Sequence, residues 1–164
     1  MIGETTGIPA TATIGRHPVH PMLIPFPIVF LIVTCVCDFA FWESGNIFWA
    51  TVAYWSLAAA LVTASFAAIA GFVDFFGSRA IRDISDAWSH MIGNLVVVVL
   101  SVLNFWLRLQ MGEIEAVFPW GILLSAVVVV LLAFTGWKGG ELVFRHRVGV
   151  RSDTRDSIGV NERR

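Results

Sequence analysis

The sequence predicts an all-α protein: a four-helix transmembrane bundle with both termini on the same side. Three observations lead there. Hydrophobic residues make up 57% of the 164 residues and charged residues only 14%, well below the roughly 25% charge of a soluble domain. Four apolar runs are each long enough to cross a hydrocarbon core about 30 Å thick. Six of the seven tryptophans, Trp42, Trp49, Trp88, Trp106, Trp120 and Trp137, fall at the ends of those runs, where an aromatic belt meets the membrane surface.

Residues 1–20 form a polar Thr/Gly/Pro-rich lead-in read as irregular. Residues 1–15 have neither a positive segment nor an apolar core, so no signal peptide is expected. The membrane domain occupies 21–150. Its first span covers about 21–42, with Pro25 and Pro27 near the start, where a missing N–H costs least and where the bundle end should widen. Glu43-Ser44-Gly45-Asn46 is turn chemistry. The second span, 47–76, is rich in Ala, Ser and Thr, and small residues let helices approach closely in lipid. A polar connection over 77–86 ends in Ser85-Asp86, an N-cap for the third span at 87–108. An acidic loop over 109–116 leads to the fourth span at 117–137, with Pro119 in its first turn. Residues 138–150 leave the membrane, and 151–164 read as a mobile polar tail. Cys35 and Cys37, two apart on a helix, point about 200° apart and read as small apolar packing residues.

The basic residues orient the bundle. The side holding both termini and the 77–86 connection carries Arg16, Arg79, Arg82, Lys138, Arg145, Arg147, Arg151, Arg155, Arg163 and Arg164, against Arg108 alone on the other. That bias implies an N-in, C-in multi-pass protein of a bacterial inner membrane. The net charge of −1 recruits no nucleic acid, so the expected partners are the lipid bilayer and, for a redox role, an electron-transfer protein.

The four histidines share that basic side. His17 and His20 precede the first span, His90 opens the third, and His146 follows the fourth; Asp74, near the end of the second, joins their level. Four imidazoles and a carboxylate at one depth are ligands for a transition metal, and two of the imidazoles are axial ligands for a haem b. His20 and His90 are the first choice, being nearest to span ends that hold them rigidly, and His17 and His146 the second. The alternative is that interfacial histidines simply hydrogen-bond headgroups and backbone. Arg145 and Arg147 flank His146 and suit haem propionates, or equally lipid headgroups. Gly136, Gly139 and Gly140 read as a flexible helix stop, or as a bare surface that seats a flat macrocycle or a helix.

In the third span, His90, Asn94, Ser101, Asn104 and Arg108 fall within an arc of about 80°. Polar groups facing lipid are costly, so this stripe should face the bundle interior, either fixing helix packing or lining a path from His90 to Arg108. Asp38 should reach Arg108, and Asp74 has Arg79 and Arg82 nearby; both acids read as close to the water boundary. No nucleophile with its base, phosphate loop, zincin or c-type haem motif is present, and an enzyme is not expected.

Two segments resemble a known family. His17-Pro18-Val19-His20-Pro21-Met22-Leu23-Ile24-Pro25-Phe26-Pro27 resembles the opening of the DUF2231 predicted membrane proteins, and the run from Gly136 to Val150 (GWKGGELVFRHRVGV) resembles their closing motif. Asp38, Gly71 with Asp74, and His90 fall where family positions are expected between them. The resemblance implies a four-helix membrane domain and a redox context, since similar domains occur fused to Rieske or cytochrome c modules. This favours haem b for electron transfer or redox sensing. The alternatives are a non-redox accessory or scaffold subunit, or a small metal-ion carrier, for which a cation at the path's mouth is unfavourable.

Overall fold

In the computed structural model, residues 7–15 and 17–150 are described. The 151–164 tail, Arg16, and hence Arg151, Arg155, Arg163 and Arg164 of the basic set lie outside the described residues. Four helices are long and apolar enough to cross a membrane, over Val19–Ser44, Ile47–Gly77, Ser85–Met111 and Val117–Phe144. Each expected span is present, and most run a turn or so further than hydropathy alone places them.

The first crossing is two helical pieces, α1 (Val19–Leu23) and α2 (Pro25–Ser44). Pro25 and Pro27 have no N–H to return to the carbonyls of Pro21 and Leu23, so the ladder breaks there. The chain nevertheless continues in the same direction, because Ile24 keeps helical angles and its N–H reaches the His20 carbonyl. The expected widening does not occur at the level of His20, which stays against the neighbouring helices. Gly45, at φ 65°, supplies the left-handed turn after α2. The Asn46 side chain then accepts from the Phe48 N–H and starts α3 (Ile47–Gly77).

Ala50, Ala53, Leu57, Ala60 and Ala67 recur every three, four or seven positions along α3 and are almost fully buried. This small-residue face lets α2 pack closely along α3. The polar connection is not irregular throughout: Arg79–Arg82 forms the short helix α4. Arg82 Nη1 donates to the carbonyls of Phe75 and Phe76, answering two orphan acceptors at the end of α3. The next helix, α5 (Ser85–Met111), is capped by Ile84 without a side-chain bond. The expected Ser85-Asp86 cap is therefore replaced, and the Asp86 carboxylate, in the first turn, turns to Lys138 and His146 instead.

A π-helical turn (Val117–Gly121) containing the non-helical Phe118 leads into α6 (Ile122–Phe144). Gly136, Gly139 and Gly140 lie inside α6, so the helix-stop reading is overturned. Lys138 and Glu141 let the helix continue past the apolar run, because each is ion-paired, to Asp86 at 2.8 Å and to Arg145 at 3.6 Å. Two hairpins, α1/α2 with α3 and α5 with α6, pack together through α2 on α6 and α3 on α5. Their shared centre is apolar: Leu31, Leu57, Ala60, Val97 and Val128. Phe26, Val29, Val62, Phe66, Val99 and Val130 point outward, as lipid-facing residues should.

The lead-in is more ordered than its composition implies. Thr13–Ile14 (β1) pairs antiparallel with His17–Pro18 (β2), and Ile8 forms a parallel bridge to Val148 beyond α6. Ile8 also packs with Val148 against a small core of Phe75, Ile81 and Ala87. The segments before α1 and after α6 thus meet at one end of the bundle.

The α5–α6 crossing is tight at Gly93, where a Cβ would lie 2.5 Å from Thr135 Cγ2. Gly93→Leu should lower stability by roughly 1–3 kcal/mol in detergent unfolding. Gly136→Ala, where a Cβ meets nothing within 4 Å, should leave stability nearly unchanged. Equal effects at the two glycines would contradict this packing.

Candidate functional site

One end of the bundle brings two of the four histidines together. The rings of His20 and His90 are 6.2 Å apart, centre to centre, with planes at 89°. Each is held by the same device. His20 Nδ1 lies 2.8 Å from the Ala67 carbonyl, and a Cβ on Gly71 would come within 3.0 Å of that ring. His90 Nδ1 lies 2.9 Å from the Thr135 carbonyl, and a Cβ on Gly139 would come within 2.9 Å of that ring. In both cases the glycine follows the carbonyl residue by four positions, one helical turn. The ring therefore rests on the bare Cα and bonds the carbonyl above it.

No internal repeat is visible in the sequence, yet the two hairpins repeat this contact. In each, the leading helix supplies the histidine and the returning helix supplies a small residue and a glycine. A carbonyl only accepts, so each Nδ1 carries a ring proton and donates it. Asn94 Nδ2 donates to the His90 carbonyl at 2.8 Å and stands 3.3 Å from His90 Nε2. Both rings are partly buried, and each is oriented by its Nδ1 hydrogen bond to a helix carbonyl, as metal-binding histidines commonly are.

The other candidates at this end are engaged elsewhere. His17 is exposed in β2. His146 Nε2 lies 3.2 Å from Asp86 Oδ2, on a carboxylate that also binds Lys138. Asp74 turns neither to Arg79 nor to Arg82: its Oδ1 accepts from the backbone N–H groups of Thr11 and Ala12, both at 2.7 Å. Among the described residues no three His, Cys, Asp or Glu side chains group as a metal set, so the five-donor arrangement of His17, His20, His90, His146 and Asp74 does not form. Arg145 is exposed and paired with Glu141, and Arg147 is exposed with its carbonyl accepting from Ile8.

The opposite end carries a buried ion pair. Arg108 Nη2 is 2.7 Å from both oxygens of Asp38, and both side chains are 0% exposed. Ser125 donates to Asp38 Oδ2, and Arg108 Nε donates to Asn104 Oδ1. Asp38 and Arg108 do meet as the sequence implies, but inside the bundle rather than at its edge. Snorkelling is closed to them because α6 and its π-turn lie over the pair, with Gly121 close against Arg108. The stripe of α5 faces inward: Ser101, Asn104 and Arg108 are 1–2% exposed, and Asn94 turns to His90. It is not a continuous path. Val97, with Leu31, Leu57 and Val128, makes an apolar layer between Asn94 and Ser101, and Ser101 bonds back to the Val97 carbonyl.

A family model described as a predicted membrane protein, DUF2231, matches residues 16–152. The chain belongs to the DUF2231 family. None of the curated proteins and none of the solved structures matches it. For this DUF2231 protein, the site residues that sequence reasoning missed are the seats Ala67 and Thr135, together with Ser125. The signal was present as a small residue four positions before a glycine, in α3 and again in α6.

Breaking a buried pair leaves an uncompensated charge, so Arg108→Ala or Asp38→Ala should cost about 3–5 kcal/mol. The double replacement Asp38→Ala with Arg108→Ala should cost clearly less than the two single changes together. Strict additivity in detergent unfolding would show that the two side chains do not act as a pair.

Proposed function

We propose that this protein holds a haem b between His20 and His90, at an end of the bundle facing the cytoplasm, and passes single electrons through it. The observation that carries the reading is the matched pair of imidazoles. The rings stand 6.2 Å apart, centre to centre, on separate hairpins, so His20 and His90 are the residues that would hold a metal or haem iron here. The bonds from Nδ1 to Ala67 and Thr135 orient both imidazoles, and the glycine seats fix their planes.

A bound haem iron supplies the one-electron redox couple. His20 and His90 would together hold the group, and a haem held by two histidines would serve electron transfer rather than catalysis on a substrate. A bare transition metal on the same two nitrogens is the alternative occupant, with coordination positions left open. Arg145, exposed and paired with Glu141 at 3.6 Å through one Nη, keeps donors that would suit a propionate. The ten-to-one distribution of Lys and Arg supports the histidine end being cytoplasmic, as in a bacterial inner membrane. The apolar layer below Asn94 and the buried cation at the far end disfavour a metal-ion carrier. A scaffold without a cofactor remains the contrasting outcome, in which the histidines only tie helices together.

The test is haem content of the full-length chain purified from cells supplied with haem. His20→Ala and His90→Ala should each abolish the low-spin spectrum, while His17→Ala and His146→Ala keep it. Gly71→Val and Gly139→Val, which push the rings off their seats, should weaken haem binding about 10–100-fold. Equal behaviour of all four histidine variants would remove the assignment.

A further inference from the structure

We propose that Asp74 is the positioning residue that fixes His20 toward His90, by clamping the segment that leads into α1. The inference rests on the histidine-pair reading for its functional meaning, but the clamp itself is geometric. Ala67, Gly71 and Asp74 follow at intervals of four and three, which places them on one stripe of α3. The first receives the His20 Nδ1 proton, the second seats the ring, and the third grips the chain that carries the ring.

The grip is direct. Asp74 Oδ1 accepts two consecutive backbone N–H groups, those of Thr11 and Ala12, at 2.7 Å each. An ionised carboxylate oxygen facing paired N–H groups makes short, charge-assisted bonds. The same Ala12 residue returns its carbonyl to the Val19 N–H at 2.9 Å. Val19 is the first residue of α1, and His20 follows it. The pairing of Thr13–Ile14 with His17–Pro18 lies between these two attachments. Thr11 lies flat on Gly77, where a Cβ would come within 2.7 Å of Thr11 Oγ1. Asp74 thus holds the base of the histidine by way of Ala12, while its own helix holds the ring. A carboxylate on an apolar helix would otherwise gain nothing from facing this segment, and the nearby Arg82 is committed to the end of α3.

The experiment measures acylation of individual histidines by diethyl pyrocarbonate, read by mass spectrometry. It uses the full-length chain in detergent before haem is supplied. Asp74→Ala should raise the His20 rate by about tenfold or more, the loss expected from freeing a charge-assisted pair of bonds. His90 and His146, which Asp74 does not touch, should keep their rates. Asp74→Asn retains an acceptor oxygen and should restore most of the protection. Ala12→Pro removes one of the two donors and should give a smaller rise at the same histidine. An unchanged His20 rate in Asp74→Ala, or a parallel rise at His20, His90 and His146, would overturn the proposal. Because no haem enters the measurement, a clamp without a haem and a haem without a clamp give different results.

Discussion

Water does not reach the middle of a bilayer, so a polar group there must find its partner inside the protein or go without one. This constraint organises the whole chain. The backbone answers it by forming helices over nearly all of the four crossings. The side chains answer it by gathering at two levels, Asp38 with Arg108, Asn104 and Ser125 at one end and the two imidazoles at the other. Between them lies the apolar layer of Leu31, Leu57, Ala60, Val97 and Val128, while the buried Thr34 and Ser101 hydroxyls bond back to their own helices. Arg108 and Asp38 tolerate complete burial because each neutralises the other and further bonds fill most of their remaining capacity. The pair also ties α2 to α5, and Ser125 adds α6, so one polar cluster joins both hairpins.

The histidine end shows how the same constraint leads toward function. Each imidazole takes a carbonyl from a neighbouring helix and rests on a glycine of that helix. Helix carbonyls and glycine Cα atoms are rigid, so the rings are held by backbone rather than by mobile side chains. The outcome is two imidazoles brought to one place, supplied by two hairpins in equivalent ways. The lead-in segment, anchored on Asp74 and on the exit of α6 through Ile8, covers the same end.

Much of this was legible in the sequence. Span number and limits follow from length and hydropathy. The inward stripe of α5 follows from the 3.6-residue period, and the Asp38–Arg108 pair from the parity of crossings. What stayed hidden depends on contacts far apart in the chain. Glycine near the end of an apolar run signals a helix stop just as readily as a seat, and only the position of His90 decides that Gly139 is a seat. Lys138 looked like the water boundary because its partner Asp86 lies 52 residues away. The lead-in looked irregular because what orders it, Asp74 and the chain around Arg147, is supplied by α3 and by the exit of α6. Asp74 looked like a metal ligand because its backbone partners cannot be read from residue type.

The central claim is that the two imidazoles share one redox-active group, and an absorption spectrum of the purified wild-type protein tests it most directly. Taken oxidised and then after dithionite, with metal analysis on the same sample, it should show a Soret band, sharp reduced α and β bands, and one iron per chain. A featureless spectrum after haem supplementation, with no bound metal, would contradict the account and leave the histidine pair as a tie between helices.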